Sequence, residues 1–197
     1  MFTGLGFRLD AGEALYVTGA NGAGKTSLLR MVCGLSAPAE GQVLWQGESI
    51  FSLREEFFRH LLYLGHAAAL KDELTATENL VVGATLSGHA VDAATARAAL
   101  VEIGLKGRED LPARVLSQGQ RRRVNLARLL LPGAPRLWVL DEPFNALDVR
   151  AVAHLAEIIG RHLAQGGMVV YTTHQEVAFP QGTVKTFTIA AGKGRPC

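Results

Sequence analysis

Short apolar runs, each closed by glycine, an acid or a histidine, alternate along this chain with longer stretches of helical spacing. Ala14–Thr18, Leu61–Leu64, Arg136–Asp141 and Met168–Thr173 are too short for helices and apolar almost throughout, the pattern of strands buried on both faces of a parallel sheet. Gln42–Trp45 reads as a further short strand, set off by the turn Pro38–Gly41 and by Gly47. Ser27–Val32 carries apolar residues at helical spacing. From Thr75 to about Arg114 the character is helical: Thr75, Ala76, Thr77 and Glu78 form a capping box, and Asp92 caps a run reaching about Ile103 before Gly104 stops it. Ser117 opens another capped helix, with Val124, Leu126, Ala127 and Leu130 on its apolar side, ended by Pro132 and Gly133. Strands alternating with helices predict an α/β fold with a helical insertion.

The first strand runs into Gly19-Ala20-Asn21-Gly22-Ala23-Gly24-Lys25-Thr26 and then into a helix, which is the setting of a P-loop. Glycines there let successive N–H groups turn inward onto phosphate oxygens, and the helix N-terminus adds its partial positive charge. Lys25 is expected on the β- and γ-phosphates and the Thr26 hydroxyl on Mg²⁺, with Ser27 completing the nucleotide-binding segment. Asp141 ends a strand, so its carboxylate emerges at the carboxyl edge of the sheet, beside the P-loop, where it serves the Mg²⁺ shell. Glu142, one residue on, points elsewhere and suits a general base for water. His174 ends the next strand at the same edge and can orient that glutamate and the γ-phosphate. Ser117, Gln118, Gly119 and Gln120 open a helix whose N-terminus is a second anion site, suited to the γ-phosphate of a nucleotide held elsewhere. For most of Arg121, Arg122 and Arg123 a solvated, ion-paired face is the expectation.

Composition narrows the class. The 197 residues suffice for one domain with a sizeable core, and a formal net charge of +2 gives no nucleic-acid surface. No apolar stretch reaches bilayer-spanning length and no secretory signal pattern is visible, so a membrane role would have to come through partners. Cys33 and Cys197 suit neither a disulfide framework nor a metal site.

Taken together, the P-loop at 19–26, the Ser117–Gln120 segment, the acids ending 137–142, Asn145–Asp148 and His174 resemble the ABC-type ATPases over nearly the whole chain. The resemblance implies a P-loop NTPase fold with a RecA-like core sheet (1–74 and 115–197) and an inserted ABC α-helical subdomain (75–114) in one domain, 1–197. It also implies ATP and Mg²⁺ as cofactors and a homodimeric nucleotide sandwich. In that sandwich Lys25 and Thr26 of one subunit face Ser117, Gln118, Gly119 and Gln120 of the other, and Asp148 couples the two sites. Val43–Gly47, Tyr63–His66, Leu74–Leu80, Arg122–Val124 and Thr172–Gln175 are similar to the ATPases of bacterial cytochrome c maturation, a haem-exporter branch. That branch implies integral membrane transporter subunits as partners, a peripheral place on the cytoplasmic face of the inner membrane, and haem export or release of a haem-loaded chaperone. No direct haem binding and no nucleic acid are expected. An exporter for another small substrate is the alternative reading, and a soluble ABC protein of translation or DNA maintenance is disfavoured.

Three departures from the family pattern stand out. His66 and Ala67 occupy the place of a Mg²⁺-sensing glutamine, leaving His66 as a possible imidazole substitute. Gln118 replaces a small residue. The first strand and the aromatic adenine platform are absent or displaced by the truncated N-terminus, with Phe2 the nearby aromatic to substitute.

Overall fold

A computed structural model describes residues 4–189; Phe2 and Cys197 lie outside them. Residues 4–10 form no strand, and the first element is β1 (Glu13–Thr18). It is followed by α1 (Lys25–Val32), the short pair β2 (Leu44–Trp45) and β3 (Glu48–Ser49), α2 (Arg54–Arg59) and β4 (Leu61–Leu64). Then come α3 (Ala76–Leu86), α4 (Ala93–Leu100), α5 (Gln118–Leu126), β5 (Leu137–Leu140), α6 (Val149–Ala164), β6 (Met168–Tyr171) and β7 (Thr183–Thr188).

Five strands form one sheet in the order β4-β5-β6-β1-β7, and every pairing is parallel. Parallel strands require crossovers, and the helices supplying them cover both faces. The faces are read directly from the strand period of two. Leu62, Leu64, Trp138, Leu140, Val169 and Tyr171 join the core under α3 to α6. Leu15, Val17, Leu137, Val139 and Val170 join the one under α1 and α2. β5 is buried at all four positions, as a central strand of a three-layer sandwich has to be.

Both expected capping boxes are present: the Thr75 and Ser117 side chains accept from the backbone N–H three residues on, and Glu78 and Gln120 reach back. Asp92 caps α4, which ends at Leu100; the chain then widens through Val101–Leu105, where Gly104 adopts φ +88°. The helix opened by Ser117 tightens into a 3₁₀ turn at Ala127–Leu130. The strand expected to reach Thr173 ends instead at Tyr171, although Thr172 and Thr173 remain buried. Cys33 is fully buried, and burial together with the Asp141 charge pushes its thiol up to about 12, so it stays protonated and unreactive.

α6 packs His162 flat on Trp138, ring centroids 3.6 Å apart, with Nε2 3.1 Å from the Arg136 carbonyl. Burial holds this imidazole below its ordinary pKa. The unfolded chain therefore binds more protons once the pH drops below about 6.5, so the contribution of His162 is complete above that pH and is lost as the pH falls. His162→Gln is expected to flatten the fall in Tm between pH 6.5 and 5. Parallel Tm curves for the two proteins would refute this.

Candidate active site

β1 delivers the chain to the P-loop, and the geometry of that turn demands glycine. Gly19 sits at φ +150°, and a Cβ there would come within 2.8 Å of the Ile189 carbonyl beyond β7. Gly22 and Gly24 adopt φ +78° and +102°. Gly24 is the N-cap of α1 and offers no side-chain hydrogen bond, and the first turn of the helix carries no acid. Free N–H groups at a helix start with no competing carboxylate make an anion site. Lys25 Nζ donates to the carbonyls of Gly19 at 2.8 Å and Ala20 at 3.4 Å, so the ammonium lies over the loop.

The acids reach the same edge from β5. Asp141 is 2% exposed: Oδ2 accepts from Thr26 Oγ1 at 2.9 Å, and Oδ1 accepts from Thr172 Oγ1 at 2.8 Å. The same Thr172 hydroxyl accepts from the Glu142 N–H at 3.0 Å. Glu142 stands at φ +51°, a conformation that bulky residues rarely adopt. Its Oε1 lies 3.3 Å from His174 Nε2, while Oε2 is buried with no hydrogen-bond partner among the described residues. Tyr16 OH, from β1, donates to the Thr173 carbonyl at 3.0 Å and ties the ends of β1 and β6 together.

Helix α5 approaches from the other side. Its capping box engages the Ser117 hydroxyl with Gln120 N at 3.2 Å, and Gln118 is exposed. A Cβ on Gly119 would meet the Ala146 carbonyl at 2.9 Å, so this helix start presses on the loop after β5, where only glycine fits. Arg121 pairs with Asp72 at 2.6 Å and Arg123 with Asp148 at 2.5 Å, both as expected of a charged face. Arg122 departs from that expectation: it is 6% exposed and turned into the protein. Asp148 also caps α6 by accepting from Ala151 N, and that bond, aided by Arg123, lowers its pKa.

The fold thus brings Lys25, Thr26, Asp141, Glu142 and His174 to one edge of the sheet. No hydrogen bond joins Ser117–Gln120 to residues 19–27 among the described residues. His66 is exposed just past β4; its carbonyl accepts from Arg122 Nη1 at 3.3 Å, and its side chain makes no hydrogen bond among the described residues. Two residues here, Thr172 and Arg122, have no functional role legible in the sequence. A threonine two places before a strand-end histidine is the visible signal for the first, whereas nothing in a run of three arginines marks the middle one.

Residues 2–145 match the ABC transporter family. The cytochrome c biogenesis ATP-binding export protein CcmA of Nitrosospira multiformis is 54% identical over 177 residues, 90% of this chain and 85% of that protein. The similarly named protein CcmA 1 of Salmonella typhimurium is 50% identical over 192 residues, 98% of this chain and 91% of its own length. Among solved structures, an ATP-binding subunit of an ABC transporter superposes with a TM-score of 0.73 at 29% identity, covering 85% of this chain and 71% of the other. A dimeric bacterial ABC transporter cassette gives a TM-score of 0.79 at 23% identity, covering 93% and 84%.

Proposed function

We propose that this chain, which belongs to the ABC transporter family, is the ATP-hydrolysing subunit of an exporter in c-type cytochrome biogenesis, powering haem export or release of a haem-loaded chaperone through membrane partner subunits. The observation that carries the catalytic half of this reading is the chain Thr26–Asp141–Thr172–Glu142–His174, laid along the edge that also holds the P-loop. The relatives named CcmA, about half identical over nearly the whole chain, support the biological half.

Each residue takes a role from its surroundings. The N–H groups of Gly19, Ala20, Asn21, Gly22, Ala23, Gly24, Lys25, Thr26 and Ser27 wrap the phosphates, and Lys25 leaves its carbonyl partners for phosphate oxygens. Glu142 uses its buried, unpartnered Oε2 to take a proton from the attacking water, while His174 fixes Oε1. Thr26 and Asp141 are oxygen donors 2.9 Å apart, the hard ligands that Mg²⁺ takes. Mg²⁺ usually keeps several waters and is held by one or two carboxylates with substrate phosphates, which one carboxylate and one hydroxyl can serve. When bound, Mg²⁺ neutralises phosphate charge.

Ser117, Gln118, Gly119 and Gln120 serve the nucleotide of a second, identical subunit, with Asp148 at the junction. Residues 1–74 and 115–197 form the nucleotide-binding lobe and 75–114 the helical lobe. None of the described helices is long and apolar enough to cross a membrane. On this reading the subunit is held by integral membrane partners at the cytoplasmic face of the inner membrane.

A host deleted for this gene is expected to lose covalently haem-loaded c-type cytochromes while b-type haem proteins persist, as read by haem staining of gels and by reduced-minus-oxidised spectra. Normal c-type cytochromes in the deletion strain would overturn the haem assignment and favour an exporter of another small substrate.

A further inference from the structure

We infer that Arg122 is a positioning residue for hydrolysis, a backbone clamp that holds Glu142 in its left-handed conformation and ties it to the loop leaving β4. The guanidinium is buried and grips four carbonyls from two neighbouring strand ends. Nη2 donates to Asp141 O at 2.9 Å and Glu142 O at 2.7 Å, and Nη1 donates to Gly65 O at 3.0 Å and His66 O at 3.3 Å. None of its hydrogen bonds goes to a side-chain carboxylate; burial lowers its pKa, and the charges of Asp141 and Glu142 work against that.

A buried charge spent on main-chain carbonyls carries a desolvation cost that an apolar residue would avoid, so its worth lies in the geometry it imposes. That geometry concerns the peptide units on either side of the Glu142 Cα. Thr172 Oγ1 fixes the Glu142 N–H, and Arg122 fixes its carbonyl. With both ends held, a glutamate at φ +51° keeps its carboxylate beside His174; with the carbonyl released, the residue can relax toward an ordinary backbone angle and swing the carboxylate away. Only a planar fork reaches two strand ends at once, which a lysine ammonium, a single point of charge, does not. The clamp reaches the P-loop only through Asp141, whose carbonyl it holds and whose side chain accepts from Thr26. That side chain is also held by Thr172, so loss of the clamp is expected to change nucleotide binding little.

The inference rests on Glu142 being the base, and the test separates the two. Arg122→Gln and Arg122→Lys are compared with wild type and with Glu142→Gln in ATP titrations and in steady-state and single-turnover hydrolysis. Each Arg122 substitution is also built into the Glu142→Gln background. Arg122→Gln is expected to lower kcat by ~10–100-fold, the cost of a reacting group misplaced by about an ångström, with KM and the Kd for ATP within about threefold of wild type. Arg122→Lys, which keeps the charge, is expected not to restore the rate. In the Glu142→Gln background the Arg122 substitutions are expected to add little further loss, because on this inference the clamp's effect on rate runs through the placement of the Glu142 carboxylate.

Wild-type kcat in Arg122→Gln, full rescue by lysine, or an undiminished further loss in the Glu142→Gln background would each overturn the clamp. Glu142→Gln hydrolysing at the wild-type rate would instead overturn the assignment of the base. Should Arg122→Gln fail to fold, Arg122→Lys carries the same comparison through its loss of rate and its effect in the Glu142→Gln background.

Discussion

Glu142→Gln is expected to bind ATP as wild type does and to hydrolyse it at least ~10²-fold more slowly, the lower bound for losing a general base. The substitution replaces one carboxylate oxygen by an amide of the same shape. The contacts that hold residue 142 in place, Thr172 to its N–H and Arg122 to its carbonyl, are made to the main chain and survive. Lys25, proposed to meet the phosphates, and Thr26 and Asp141, proposed to hold Mg²⁺, are untouched. What goes is the ability of the buried side chain to accept a proton from water. Phosphate release measured beside ATP titration separates the two effects, and the trapped nucleotide is expected to shift the protein to a dimer on a sizing column. Turnover within about threefold of wild type, far short of the loss expected for a base, would contradict the assignment.

Much of this site is legible in the sequence because its parts are contiguous and each sits at the end of an element. The P-loop glycines declare their backbone angles, and Gly24 with no cap declares an anion site at the start of α1. Asp141 and His174 follow apolar runs, and in a parallel sheet such runs end at one edge. The capping boxes at Thr75 and Ser117 are local hydrogen bonds, so four residues of sequence specify them.

What escapes the sequence depends on long-range neighbours. β7 is an edge strand that pairs with β1 across more than 160 residues, and its exposed positions are mostly polar, so its six residues show no apolar run. Helix α6, by contrast, carries a readable signal in its Asp148 cap and in Leu155, Ile158, Ile159 and Leu163, yet it is not among the expected elements. Arg122 is indistinguishable from Arg121 and Arg123 until the helix is placed. One turn position then separates two ion-paired side chains from one that enters the protein.

On the proposed reading one chain holds two halves of different sites, the P-loop half at Lys25 and the helix start at Ser117. Lys25→Ala removes the ammonium proposed to meet the phosphates. Ser117→Arg places a long side chain at an exposed helix start, where the cost to folding is limited to a lost cap of about 1 kcal/mol. Alone, each variant is expected to lose at least ~10²-fold in turnover, since every site in its dimer lacks one half. Mixed together they differ. A dimer of one subunit of each kind joins the intact Lys25 of the second variant to the intact Ser117 of the first, leaving its other site doubly broken. Random pairing of equal amounts makes half the dimers mixed, so turnover is expected to recover to about a quarter of the wild-type rate per chain. The measurement is phosphate release from the two variants, separately and after mixing in ATP. Recovery toward a quarter is the predicted result; a mixture no more active than the mean of its two components would contradict the account.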